Sequence, residues 1–115
     1  MKKMALFAFN GESMCFVHVL LNALDMKGKG YDVRVVMEGA ATKLVPELAV
    51  PGSPVSQLYQ KAKDQGLMEG VCKACSAKMG TLQAAQGQGL RLLDEMSGHP
   101  SIARYLEAGY EVLIF

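Results

Sequence analysis

The side chains of this chain best able to do chemistry are three cysteines, Cys15, Cys72 and Cys75, and two histidines, His18 and His99. Cys72 and Cys75 stand three apart in Val71-Cys72-Lys73-Ala74-Cys75-Ser76. That spacing lets two thiols close a local disulfide. The surrounding pattern puts Cys72 where a strand ends and Cys75 in the first turn of the next helix. A helix N-terminus and the neighbouring cations Lys73 and Lys78 both favour the thiolate, the form that attacks a sulfur donor or a disulfide. The bland alternative is a pair of small, half-buried residues with no chemistry.

Zinc is the competing use of two cysteines at this spacing, but a structural zinc site takes four ligands. There is no second such pair. The one set within reach of the sequence is Cys15, His18, Cys72 and Cys75, and the expectation is that no metal is bound. Cys15, His18, Asn22 and Asp25 follow helical spacing on an otherwise apolar helix and read as its least buried face. The functional reading of that face is a second thiol turned towards Cys72, with Glu12, Cys15 and His18 as candidate rim residues. His99 precedes Pro100 at a helix start and is assigned to the cap or loop. Phe9-Asn10-Gly11-Glu12-Ser13 is not a G-x-G-x-x-G turn, so no nucleotide or other cofactor is expected.

These residues need elements to position them. Met4–Phe9 reads as a strand closed by Asn10-Gly11, and Ser13 caps a helix that runs to Lys27. A second strand spans Asp32–Met37. Ser53-Pro54 starts a helix whose apolar face is Val55, Leu58, Tyr59 and Ala62. Leu67–Val71 is a weaker strand, interrupted by Glu69 and Gly70. One helix is predicted over Cys75–Gln86, then a strand at Leu90–Leu93, a helix opened by Ser97-Gly98-His99-Pro100, and a strand at Tyr110–Phe115. Five strands alternating with helices predict an α/β fold with a parallel sheet and helices on both faces. Ligands and reactive groups gather beyond the carboxyl ends of such strands. That rim carries Asn10-Gly11-Glu12, Glu38-Gly39, Val71-Cys72 and Asp94-Glu95.

The bulk composition narrows the classes. The 115 residues fit one domain, 1–115. Twelve basic residues against eleven acidic ones give a net charge of +1, without the basic excess that nucleic-acid binding requires. The apolar run at Met4–Phe9 is too short for a signal peptide. The one at Met14–Leu24 falls short of the roughly 20 residues that span a bilayer. An odd cysteine count does not suggest a secreted disulfide framework. The expectation is a cytoplasmic protein with reduced thiols.

Val71-Cys72 followed by Gly80, together with Gly30-Tyr31-Asp32-Val33 and the ending Gly109-Tyr110-Glu111-Val112, resembles the DsrE/DsrF-like family of small sulfur-relay proteins. That family includes the sulfur carriers of tRNA thiolation. The resemblance spans essentially the whole length. It implies a three-layer α/β/α sandwich with a five-stranded parallel sheet, a homotrimer or homohexamer, and sulfur-donor and sulfur-acceptor proteins as partners. It also implies that Cys72, followed by Gly80, is the persulfide-bearing cysteine; Lys73, Ser76 and Lys78 are the supporting candidates in the sequence around it. Cys75 is then the candidate resolving thiol. Family members often carry Arg near the glycine where this chain has Lys78-Met79, and Cys75 occurs in only some of them. Two further readings stand beside the sulfur carrier. One is a thiol–disulfide or peroxide-reducing enzyme; the other is a non-catalytic assembly protein whose cysteines are structural or hold a metal. The breadth of apolar surface on the first helix, and the apolar last strand, point independently to a homo-oligomer.

Overall fold

A computed structural model describes residues 1–115. Its elements run β1 (Lys3–Ala8), α1 (Ser13–Gly28), β2 (Asp32–Met37), a 3-10 helix (Gly39–Leu44), α2 (Val45–Leu48), α3 (Pro54–Asp64), β3 (Met68–Cys72), α4 (Lys73–Met79), α5 (Leu82–Gly87), β4 (Leu92–Leu93), α6 (Ile102–Glu107) and β5 (Glu111–Ile114). The strands form one parallel sheet in the order β4-β3-β2-β1-β5. Helices cover both faces, giving the expected three-layer α/β/α sandwich.

The central strands are buried on both sides, so they read as near-continuous apolar runs rather than as an alternation. Met4, Leu6 and Ala8 of β1 face the larger core with Val33, Val35 and Met37 of β2. Phe16, Val19, Leu20 and Ala23 of α1 and Val55, Tyr59 and Ala62 of α3 close that core. Ala5, Phe7 and Val36 face the other way and meet Leu93 and Tyr105 of α6 in a smaller core. The Phe7 and Tyr105 rings meet edge to face with centroids 5.4 Å apart.

Local chemistry sets the boundaries. Ser53 Oγ accepts the Ser56 N–H at 3.1 Å and Pro54 occupies the first turn of α3, as expected. At α1 the cap position is Glu12 rather than Ser13, and Asn10 Oδ1 accepts the Glu12 N–H at 2.7 Å. The single helix expected over Cys75–Gln86 is two. Gly80 at φ 74° ends α4 in a left-handed cap, and Thr81 then donates its hydroxyl to the Thr42 carbonyl at 2.9 Å. The last helix begins at Ile102, capped by Ser101, so Ser97–Pro100 belongs to the preceding loop.

Glu69 and Gly70, which make β3 look weak in sequence, both hold it in place. Glu69 accepts Arg34 at 3.1 Å and the Tyr105 hydroxyl at 2.8 Å, tying α6 to the sheet. A Cβ at Gly70 would overlap the Arg91 carbonyl, so only glycine lets β4 approach this closely. No helix is long and apolar enough to cross a membrane.

Candidate functional site

Cys72 is both the last residue of β3 and the N-cap of α4. The Val71 N–H donates to the Arg91 carbonyl at 2.9 Å, and Cys72 pairs with Leu93 across the strands. The side chain that meets it comes from a tight turn after β4. The Met96 N–H donates to the His99 carbonyl at 2.8 Å, and the His99 N–H donates back to Met96 at 2.9 Å. Between them Ser97 has φ 51° and Gly98 φ 90°. Two successive positive φ values are the signature of a two-residue I′ turn, for which glycine at the second position is favoured. The Gly98 carbonyl accepts the Ala74 N–H at 2.8 Å, pinning the turn to the first turn of α4.

His99 is thereby held against the thiols. Its Nδ1 lies 3.1 Å from Cys72 Sγ and 3.7 Å from Cys75 Sγ. The Cys75 N–H donates to Cys72 Sγ at 3.3 Å. Cys72 Sγ also lies 3.7 Å from the Gly98 carbonyl. The three ligand atoms all fall within 4.8 Å of one another. Two thiols and an imidazole so close could hold a soft divalent cation such as zinc through three protein ligands, leaving a fourth position open.

Burial divides the pair. Cys72 is 0% exposed, whereas Cys75 is half-buried. Cys75 and His99 line an open groove of about 490 Å³ with Phe9, Gly39, Ala40, Ala74, Lys78 and Met79; Cys72 does not line it. A Cβ at Gly39 would run into the Phe9 ring, so the ring can lie flat over the backbone at the groove's edge.

The electrostatics correct the sequence reading of Cys72. Burial pushes its thiol up to about 12, partly offset by the Cys75 N–H and reinforced by the Cys75 thiol and Glu38. The expected cations do not counter this. Lys73 is exposed and its Nζ reaches the Asp94 carboxylate at 3.8 Å, while Lys78 is exposed at the groove. The group beside the buried sulfur is His99, whose Nδ1 can accept the thiol proton in the tautomer that carries its hydrogen on Nε2. Burial also raises the Glu38 carboxyl, and the opposing pull of His99 is the smaller effect.

The other residues singled out from sequence scatter. Glu12, Cys15 and His18 lie on or just before α1 and are not in the thiol cluster. The four-ligand set of Cys15, His18, Cys72 and Cys75 is therefore not assembled; His99 takes the place given to His18. Ser76 is fully buried and its Oγ has no hydrogen-bond partner. Gly80 caps the far end of α4. Sequence reasoning assigns His99 only to a cap or loop, and the Ser97-Gly98 turn that presents it is the signal that could have found it.

No family model matches the chain. It is similar to the uncharacterized protein MJ0733 of Methanocaldococcus jannaschii, at 31% identity over 97 residues, 84% of this chain and 77% of the relative. Two uncharacterized proteins of Archaeoglobus fulgidus match over shorter stretches. One is 37% identical across 51% of this chain and 95% of its own length. The other is 57% identical across 32% of this chain and its full length. The chain belongs to the same family as the Methanocaldococcus jannaschii protein.

Proposed function

We propose that the chain is a sulfur carrier of the DsrE/DsrF-like kind, working in the cytoplasm, assembled as a homotrimer or homohexamer, and exchanging sulfur with donor and acceptor proteins. The observation that carries the reading is the closeness of Cys72, Cys75 and His99 at the carboxyl edge of the sheet beside an open groove. A thiol accepts a sulfane sulfur as a persulfide. The second thiol either leaves that sulfur for an acceptor or displaces it as sulfide and closes a disulfide. His99 Nδ1 lies within reach of both sulfurs to take the proton that each must lose before it attacks. Reduced protein incubated with glutathione persulfide tests this. The expected result is a gain of one sulfur at the pair, or a loss of two hydrogens with one sulfide released. The Cys72→Ser, Cys75→Ser double variant should do neither. Turnover of peroxide with no uptake or release of sulfur would move the assignment to a thiol–disulfide enzyme.

The three-ligand cluster favours a second reading, a metal-holding protein. The sulfur-carrier reading expects well under one zinc per chain in the purified protein. One zinc per chain that survives dialysis against a chelator would support the metal reading instead.

A further inference from the structure

The two thiols are not equivalent, and their placement assigns them an order. We infer that Cys75 is the thiol that meets the sulfur donor, and that Cys72 is the buried thiol that resolves the product, the reverse of the order drawn from sequence. This rests on the sulfur-carrier reading for its chemistry but not for its geometry.

Cys72 has no accessible surface, and the groove does not reach it. A donor persulfide must align its sulfur with the attacking sulfur and its leaving group, which needs open space on the attacked side. Cys75 offers that space: it lines the groove beside His99, with Lys78 at hand for an anionic donor. Cys72 lies behind it, accepting the Cys75 N–H and lying 3.1 Å from His99 Nδ1. Because His99 Nδ1 also lies 3.7 Å from Cys75 Sγ, one imidazole serves both sulfurs in turn.

The steps balance. Cys75–SH and R–S–SH give Cys75–S–SH and R–SH: the bond between the donor's two sulfurs breaks and a bond from Cys75 Sγ to the outer sulfur forms. The proton of Cys75 passes through His99 to the departing thiolate. Cys72 Sγ then attacks Cys75 Sγ. Cys75–S–SH and Cys72–SH give the Cys72–Cys75 disulfide and hydrogen sulfide. The sulfane sulfur takes up the electron pair of the broken bond, and both cysteine sulfurs end oxidised. An acceptor thiol entering the groove would intercept the persulfide before this second step.

The single variants Cys72→Ser and Cys75→Ser, treated with glutathione persulfide and peptide-mapped by mass, test the order. Cys72→Ser should gain one sulfur on Cys75 and keep it. Cys75→Ser should load Cys72 at least about tenfold more slowly, because access controls thiol reactivity as ionisation does. Sulfur appearing on Cys72 of Cys75→Ser as fast as on Cys75 of Cys72→Ser would overturn the order. Competitive alkylation of the wild-type protein with iodoacetamide reads the same order without sulfur chemistry. Cys75 modified before Cys72 supports it and Cys72 first refutes it. If no variant loads sulfur yet Cys75 still alkylates first, the order stands and the sulfur-carrier reading falls.

Discussion

At the scale of single residues, the site depends on what lies beside Cys72 rather than on Cys72 alone. A thiol pushed up to about 12 by burial is almost wholly protonated at neutral pH, and the neighbouring Cys75 N–H does not undo that. A proton acceptor 3.1 Å away makes its chemistry feasible. His99→Ala should therefore slow disulfide closure by Cys72, read as sulfide release, by about 100-fold or more, in the range of a lost general base. Circular dichroism should stay unchanged, since His99 is only half-buried. Timed-quench assays of sulfide release from the loaded protein would check this, and an unchanged rate would leave His99 a turn residue. The thiol pair is legible in sequence because its spacing is local. Its histidine partner is not, because His99 lies 27 positions after Cys72, beyond two helices and a β-strand.

At the scale of elements, a two-residue turn determines where the imidazole goes. Gly98 sits at φ 90°, and a Cβ there would lie 3.2 Å from the Ala74 Cβ. Gly98→Val would strain both the backbone and that contact, at a cost of about 1–3 kcal/mol. It should lower the Tm by about 4 °C for each kcal/mol in a domain of this size, and it should slow thiol reactivity because His99 moves. A normal Tm with normal reactivity would show that the turn tolerates a side chain. The strand–helix alternation is readable from apolar runs and turn residues. The break between α4 and α5 escapes a reading that takes Lys78-Met79-Gly80-Thr81 as helix interior, although Gly80 is the kind of residue that ends one. Glu69 reads as an interruption because its partners, Arg34 and Tyr105, lie on other elements.

At the scale of the whole molecule, the apolar surface lies on the last strand, as the sequence leads one to expect, and only in part on the first helix. Leu20 of α1 is fully buried and Leu24 half-buried within the chain, leaving Leu21 and Met14 outside. The edge strand β5 leaves Leu113 43% and Ile114 61% exposed. A strand edge with apolar side chains is a surface that a closed assembly would cover. Light scattering after size exclusion should therefore give a multiple of the 12.4 kDa chain mass. Ile114→Lys should shift it towards the monomer, and a wild-type mass of 12.4 kDa would show that the edge needs no partner. Alkaline stability is a second property of the whole. Burial raises Cys72 from 9.0 and Tyr59 from 10.0, each to about 12. A group raised by folding contributes its full share below its unfolded value, and that share is lost as pH rises through the folded one. Thermal melts should hold steady up to about pH 9 and fall between about pH 9 and 12, less steeply in Tyr59→Phe. A flat alkaline limb would contradict the burial of these groups.

The proposed sulfur chemistry is confined to Cys72 and Cys75. Peptide mass mapping of the reduced wild-type protein after one equivalent of glutathione persulfide tests it most directly. Every change, one sulfur gained or two hydrogens lost, should fall on the peptide holding Cys72 and Cys75, with Cys15 unmodified. Sulfur accumulating on Cys15, or a pair that neither gains sulfur nor closes, would contradict it.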